Sequence, residues 1–401
     1  MTTQFPRLLL VSDAPLCQEG TGINRTLVNL LKDYPADKFM LYTSSDSALT
    51  ASHFRQNVAA FSEGLLPFLR NRLGTWINVI IAQANLQLID WLPIPERKKI
   101  ESFAPELILI CPGNTSTLLM GAKVSHQLHV PHLIYLMDDW VDQVRYRWWS
   151  GSVQRLTHDL LADANGWLMI SRILQQDLEK RYGVHPKRSL VVHNPVDLST
   201  LIPPDFTVHE GTFKVVYAGS IWTMHYDAVA VVAEAIFELK QEGYDIELFL
   251  HTPQQFWDQY RQNWKTWQVS YGGMIPYHDL QHYLQRADLL LVASSFTAEH
   301  AHVTRSSVQT KLTDYMASGR PVFCYGPDYS ACNNFVLQWH CGLVCAAQDI
   351  STINLFLKRT IDDRSTNQNL AKVAFDVVSQ AFDRRQVSCE FYQFINESLS
   401  A

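Results

Sequence analysis

Short, almost wholly apolar runs recur along the chain, each followed by a longer stretch whose apolar positions return at helical spacing. In the first half the runs lie in RLLLVSD, KFMLYTS, ELILICPG, PHLIYLMDD and NGWLMIS. A strand buried on both faces reads as an unbroken apolar run, and its alternation with helices is the pattern of βαβ units around a parallel sheet. The rhythm restarts at FKVVYAGS and continues through DIELFLH, WQVSYGG, ADLLLVASS, RPVFCYG and CGLVC. The expectation is an α/β protein of two successive doubly wound, Rossmann-like domains.

Between the two series lies HNPVDLSTLIPPDFTVHEGT, rich in proline and polar residues and without a period, as an inter-domain linker would be. The predicted division puts one domain at residues 1–202 and the other at 203–385, with a helical tail, 386–401, that carries Phe391, Tyr392 and Phe394. From Phe61 to Ile94 the rhythm breaks, and widely spaced charges in an apolar stretch predict one or two amphipathic helices. These either pack over the sheet or lie on a membrane surface anchored by Trp76, Trp91, Arg70 and Arg72. The scarcity of lysine favours packing.

With 401 residues, 47% hydrophobic and 18% charged, the chain is long and apolar enough to bury two cores. Its formal net charge of −6 gives no electrostatic footprint for nucleic acid. The seven cysteines are scattered and include no CxxC pair, so neither a disulfide framework nor a zinc site is indicated. The apolar run after Arg7 is too brief for a signal peptide, and no segment approaches the ~20 apolar residues of a membrane span. A cytoplasmic protein is expected, with any membrane contact peripheral.

Candidate chemistry gathers where strands end. In LLLVSDAPLCQEGTGINRTLVNLL, Gly20, Thr21 and Gly22 precede a helix beginning near Ile23, where open N–H groups favour a phosphate and glycine permits its close approach. A tight turn without a ligand reads the same way. In LIYLMDDWVD, Asp138 and Asp139 follow a strand; either could orient or deprotonate an acceptor hydroxyl, or simply cap a helix. The loop segment EHAHVTR holds Glu299, His300, His302 and Arg305. Zinc would need ligands from a second element as well, so contact of His300 or His302 with a sugar is the better reading. No metal and no cofactor are implied.

The block from Tyr271 to Pro327, YGGMIPYHDLQHYLQRADLLLVASS and then SVQTKLTDYMASGRPVFCYGP, resembles glycosyltransferase family 4. Members run Gly-x-Val, helix, Ala-Asp strand, polar loop, Ser-Lys-Leu-x-Glu-Tyr helix, then Ala-x-Gly-x-Pro-Val. The turn Asn194-Pro195-Val196-Asp197 is similar to the Asn-Gly-Val-Asp that leads into the linker there. The resemblance implies the GT-B architecture, in which two Rossmann-like domains face a cleft and a C-terminal helix crosses back. It implies sugar transfer from a nucleotide-sugar donor to a saccharide, lipid-linked or small-molecule acceptor, with retention of configuration and the leaving diphosphate helping to deprotonate the acceptor. Carried over, Gly273, Met274 and Ile275 border the base, while Lys311 and Asp314 face the nucleotide. A carboxylate can accept two ribose hydroxyl bonds, and a lysine at a helix start adds charge to N–H groups aimed at phosphate.

The departures are specific. Family members often carry two glutamates eight positions apart, and here Ser306 stands at the first position and Asp314 at the second. Gln309-Thr310-Lys311 resembles the Pro-Ser-Lys of a related subset. Ser220 and Trp222 occupy AGSIWTMHYDA where an Arg and a Lys often follow the first strand, leaving phosphate charge to Lys311, Arg305 and backbone dipoles. Two other readings stay open: a noncatalytic protein that keeps this fold to bind a sugar nucleotide or partner, and a nucleotide-sugar epimerase.

Overall fold

The structure, a computed structural model, describes residues 5–17, 22–44, 50–61, 84, 91, 93–138 and 150–399. It divides into two compact units, one of Met1–His193 with Val387–Ala401 and the other of Asn194–Gln386. The chain thus enters the second unit before residue 203, because the supposed linker is tied down inside it. Arg320, 1% exposed, donates to the carbonyls of Gln285 and Thr207 and to Asp205. The guanidinium of Arg364 adds bonds to the carbonyls of His209 and Gly211.

In the first unit the strands are β1 (Leu8–Ser12), β2 (Phe39–Thr43), β3 (Val58–Ala60), β4 (Leu107–Cys111), β5 (His132–Leu136), β6 (Gly166–Met169) and β7 (Ser189–Val191), in sheet order β3-β2-β1-β4-β5-β6-β7. Those of the second unit are β8 (Phe213–Ala218), β9 (Ile246–His251), β10 (Ser270–Tyr271), β11 (Leu289–Ala293), β12 (Val322–Tyr325) and β13 (Leu343–Cys345), in order β10-β9-β8-β11-β12-β13. Every pairing between named strands is parallel. Successive side chains point to opposite faces. Leu9 and Val11 therefore join one core with Ile108, Ile110 and Ile134, and Leu8 and Leu10 join the other with Leu107, Leu109 and Tyr135. The second sheet divides in the same way, with Val215 and Tyr217 on one face and Val216 and Ala218 on the other. Burial on both faces is why these strands read as unbroken apolar runs.

In each sheet the chain starts inside and winds outward in both directions, reversing between β1 and β4 and between β8 and β11. Ligands of open α/β sheets bind outside the carboxyl ends at such reversals. The C-terminal helix, Arg384–Leu399, completes the first unit. The hydroxyls of Ser388 and Tyr392 donate to the Leu30 carbonyl at 3.2 and 2.6 Å, in the last turn of the helix Gly22–Leu31, where carbonyls lack intrahelical partners. The predicted amphipathic stretch lies almost wholly outside the described residues; within it, Trp91 is 87% exposed.

Candidate nucleotide-sugar site

The carboxyl end of β8 is built around Gly219. Its φ of +143° suits only glycine, and a Cβ there would stand 2.9 Å from Lys311 Nζ. The Gly219 N–H donates to the His251 carbonyl at 2.8 Å, joining the ends of β8 and β9. Lys311 begins the helix Lys311–Met316, and its ammonium lies 3.7 Å from the centre of the Tyr217 ring. Such cation–π contacts contribute about 0.5–2 kcal/mol. Two hydroxyls fix the frame. Tyr315 accepts from the Ala218 N–H at 2.7 Å and donates to the Ala218 carbonyl at 3.1 Å, and Tyr217 donates to the Ser220 carbonyl at 2.9 Å.

Next comes the helix Thr223–Gln241, entered at Trp222 without a side-chain cap and with no acidic residue in its first turn. Its first N–H groups are therefore not capped by a side chain of the N-cap residue, and they carry the positive end of the helix dipole. His225 sits in that turn. Burial first, then the charge of Lys311, pushes its pKa down to about 3. The imidazole is thus neutral near pH 7, and its Nδ1 is buried without a hydrogen-bond partner. An ammonium and a helix start converge here beside a buried neutral imidazole, an arrangement that suits a diphosphate.

On the neighbouring edge, the His251 ring fills the space that a Cβ at Gly272 would take, and His251 Nδ1 lies 3.1 Å from the Gly272 carbonyl. Gly273 has φ +71°. Met274 is 62% exposed and Ile275 half-buried. The GGMI turn therefore presents an open surface.

The other expected residues distribute unevenly. Asp314 and Ser306, each 1% exposed, are closed to solvent. The hydroxyl of Ser306 donates to the His302 carbonyl at 2.8 Å. Thr310 is the half-buried N-cap residue of the Lys311 helix. Its neighbour Gln309 reaches the end of β11 by donating to the Ala293 carbonyl at 2.7 Å. EHAHVTR, expected as loop, is helical: a 3-10 turn Ala298–His300 runs into the helix Ala301–Ser306. His300 faces His225 electrostatically, His302 is half-buried, and the exposed Arg305 leans over the Tyr329 ring at 5.4 Å.

In the first unit the helix begins at Gly22, one residue earlier than expected, while Gly20, Thr21 and Asp139 lie outside the described residues. Asp138, half-buried, follows β5. Its charge and that of Asp13, together with burial as the larger cause, raise the Cys111 thiol far above its ordinary range. Asp13 was missed in the sequence. It follows β1 and accepts the Gly113 N–H at 2.6 Å, so carboxylates stand at two strand ends flanking β4. His225 was missed as well. Among the described residues no three of His, Cys, Asp and Glu gather as a metal would require, and no helix is long and apolar enough to cross a membrane.

Residues 212–363 match the family model described as glycosyl transferases group 1. No curated protein is detectably similar in sequence. Among solved structures the chain is similar to sucrose-phosphate synthase from Thermosynechococcus elongatus, with TM-score 0.72 and 14% identity over 99% of this chain and 100% of that one. It is similar to HepE of Anabaena in complex with UDP and glucose, with TM-score 0.68 and 15% identity over 98% and 100%. The E. coli trehalose-6-phosphate protein bound with UDP-2-fluoro glucose gives 0.68 and 9% over 98% and 99%. The fold is that of the GT-B glycosyltransferases, as the sequence led one to expect.

Proposed function

We propose that the chain is a glycosyltransferase that moves a sugar from a nucleoside-diphosphate sugar to a saccharide, lipid-linked or small-molecule acceptor, with retention. The observation that carries the reading is the meeting of Lys311, Gly219 and the His225 helix start at the reversal of the second sheet. Lys311 and the N–H groups meet the diphosphate and the charge that grows on it as the sugar leaves. Ser220, Thr310, His302 and Arg305 border the diphosphate and sugar, and the turn Gly273, Met274 and Ile275 borders the base. The leaving diphosphate helps to deprotonate the acceptor. Asp138, Asp139 and the Gly20–Gly22 turn belong to the acceptor-binding unit. The match of residues 212–363 to glycosyl transferases group 1 and the UDP ligands in similar structures support a sugar nucleotide as donor.

One observation favours a second reading, a noncatalytic sugar-nucleotide binder: the position of the family's first glutamate holds a buried Ser306 engaged within its own helix. Donor turnover separates the two. Release of sugar from a bound UDP-, GDP-, ADP- or dTDP-sugar, to water or to an acceptor panel, establishes the transferase. Tight binding without turnover across the panel overturns it in favour of the binder.

A further inference from the structure

We propose that Asn194 is a positioning residue for Lys311, so that the segment by which the chain enters the second unit sets where the ammonium stands. The inference rests on the donor reading above and goes beyond it, because Asn194 is assigned a role through Lys311 and not at the donor.

The Lys311 helix spans only Lys311–Met316, and its N-cap residue, Thr310, makes no side-chain cap bond. So short a helix has little stability of its own and is held by what packs on it. Tyr315 fixes one end to β8, as described. The start is fixed by Asn194, 3% exposed and far away in sequence. The Asn194 Nδ2 donates to the Thr310 carbonyl at 2.9 Å and to Thr313 Oγ1 at 3.2 Å. In return the Thr313 hydroxyl donates to the Asn194 carbonyl at 3.0 Å. The bonds close into a ring that grips the peptide immediately before Lys311.

Asn194 is also the first residue of the second unit. The residues that follow it are tied to the point where the chain leaves. The Val196 N–H donates to the Phe382 carbonyl at 2.9 Å, the Arg384 N–H donates to the Val196 carbonyl at 2.8 Å, and the Arg384 guanidinium meets Asp197 at 3.0 Å with both side chains largely buried. Entry at Asn194 and exit after Gln386 are therefore fastened together, and the fastened segment holds the Lys311 helix through the side-chain amide and the carbonyl of Asn194. A shift of that segment moves Thr310, and with it the ammonium whose place over Tyr217 leaves no slack beside Gly219. Displacement of a positioned group by about 1 Å can cost two orders of magnitude in activity.

A double-mutant cycle tests the proposal. Asn194→Ala, Lys311→Ala and their combination are compared for affinity toward UDP, GDP, ADP and dTDP, and the tightest of the four is carried through the cycle. Thr313→Val provides an independent second cycle should Asn194→Ala fail to fold. The expected result is a loss of tenfold or more for Lys311→Ala and about fivefold for Asn194→Ala or Thr313→Val, with no further loss when either is added to Lys311→Ala. A merely structural role would lower stability yet leave the affinity effects additive. Unchanged affinity in Asn194→Ala and Thr313→Val, or equal losses with and without Lys311, overturns this proposal while the donor reading stands. If none of the four nucleotides binds, or Lys311→Ala binds like the wild type, both fall together.

Discussion

The Lys311 ammonium lies 3.7 Å from the centre of the Tyr217 ring, and glycine at 219 is what makes the placement possible. Cation, aromatic face and open glycine hold one another in register at the end of β8. If the donor diphosphate binds there, the charge developing on it is met by a group already in place. Lys311→Ala is then expected to lower kcat by about a hundredfold or more, read in donor turnover under saturation. A fall confined to KM would contradict this role.

Gly219→Ala tests the same contact from the other side. The new methyl group would adopt a strained φ and press on Lys311 Nζ at 2.9 Å. Such backbone strain costs about 1–3 kcal/mol, so both Tm and donor affinity should fall. A variant as stable and as tight-binding as the wild type would show that the close approach does not matter.

Acid should destabilise the protein through its buried neutral histidines. Burial lowers the pKa of His132 and of His193 to about 4 and that of His225 to about 3, from an ordinary 6.5. Below pH 6.5 the unfolded chain takes up protons that these folded histidines refuse, so stability is full above that pH and declines as pH falls toward 4. Urea midpoints at pH 7.5 and 5 measure the slope, and it should flatten when His132, His193 and His225 are all replaced by Gln. Midpoints that do not move with pH would refute the account.

Arg384 and Asp197 form a largely buried ion pair at 3.0 Å. Removing one partner strands the other charge, so Arg384→Leu should cost about 3–5 kcal/mol in chemical denaturation. Adding Asp197→Leu should restore part of that loss, since the pair itself stabilises far less than its breakage costs. Additive losses would mean that the two charges are not coupled.

Most strands could be read from the chain because burial on both faces removes polar positions from them. β3, Val58–Ala60, is an edge strand too short to show that pattern. The division between units was hidden because Asp205 and His209 look like linker, and their partner Arg320 is remote in sequence. In the candidate site, Lys311 and the GGMI turn are proposed from the resemblance, whose spacing they keep. His225 and Asp13 were not legible in the sequence. A lone histidine in a first turn or an aspartate after a strand carries no motif, and only the fold shows what surrounds it. Asp314 shows the converse: its spacing fits the resemblance, while its burial, at 1% exposure, is set by the packing of its helix and carries no sequence signal.

Thermal denaturation of the wild type and Lys311→Ala, each with UDP-, GDP-, ADP- and dTDP-sugars, tests the central claim most directly. A ligand at a hundredfold excess over its Kd stabilises the native state by about 2.7 kcal/mol. The account predicts that at least one nucleotide sugar raises the wild-type Tm and that the rise is largely lost in Lys311→Ala. No rise with any of the four, or the same rise in both proteins, would contradict it.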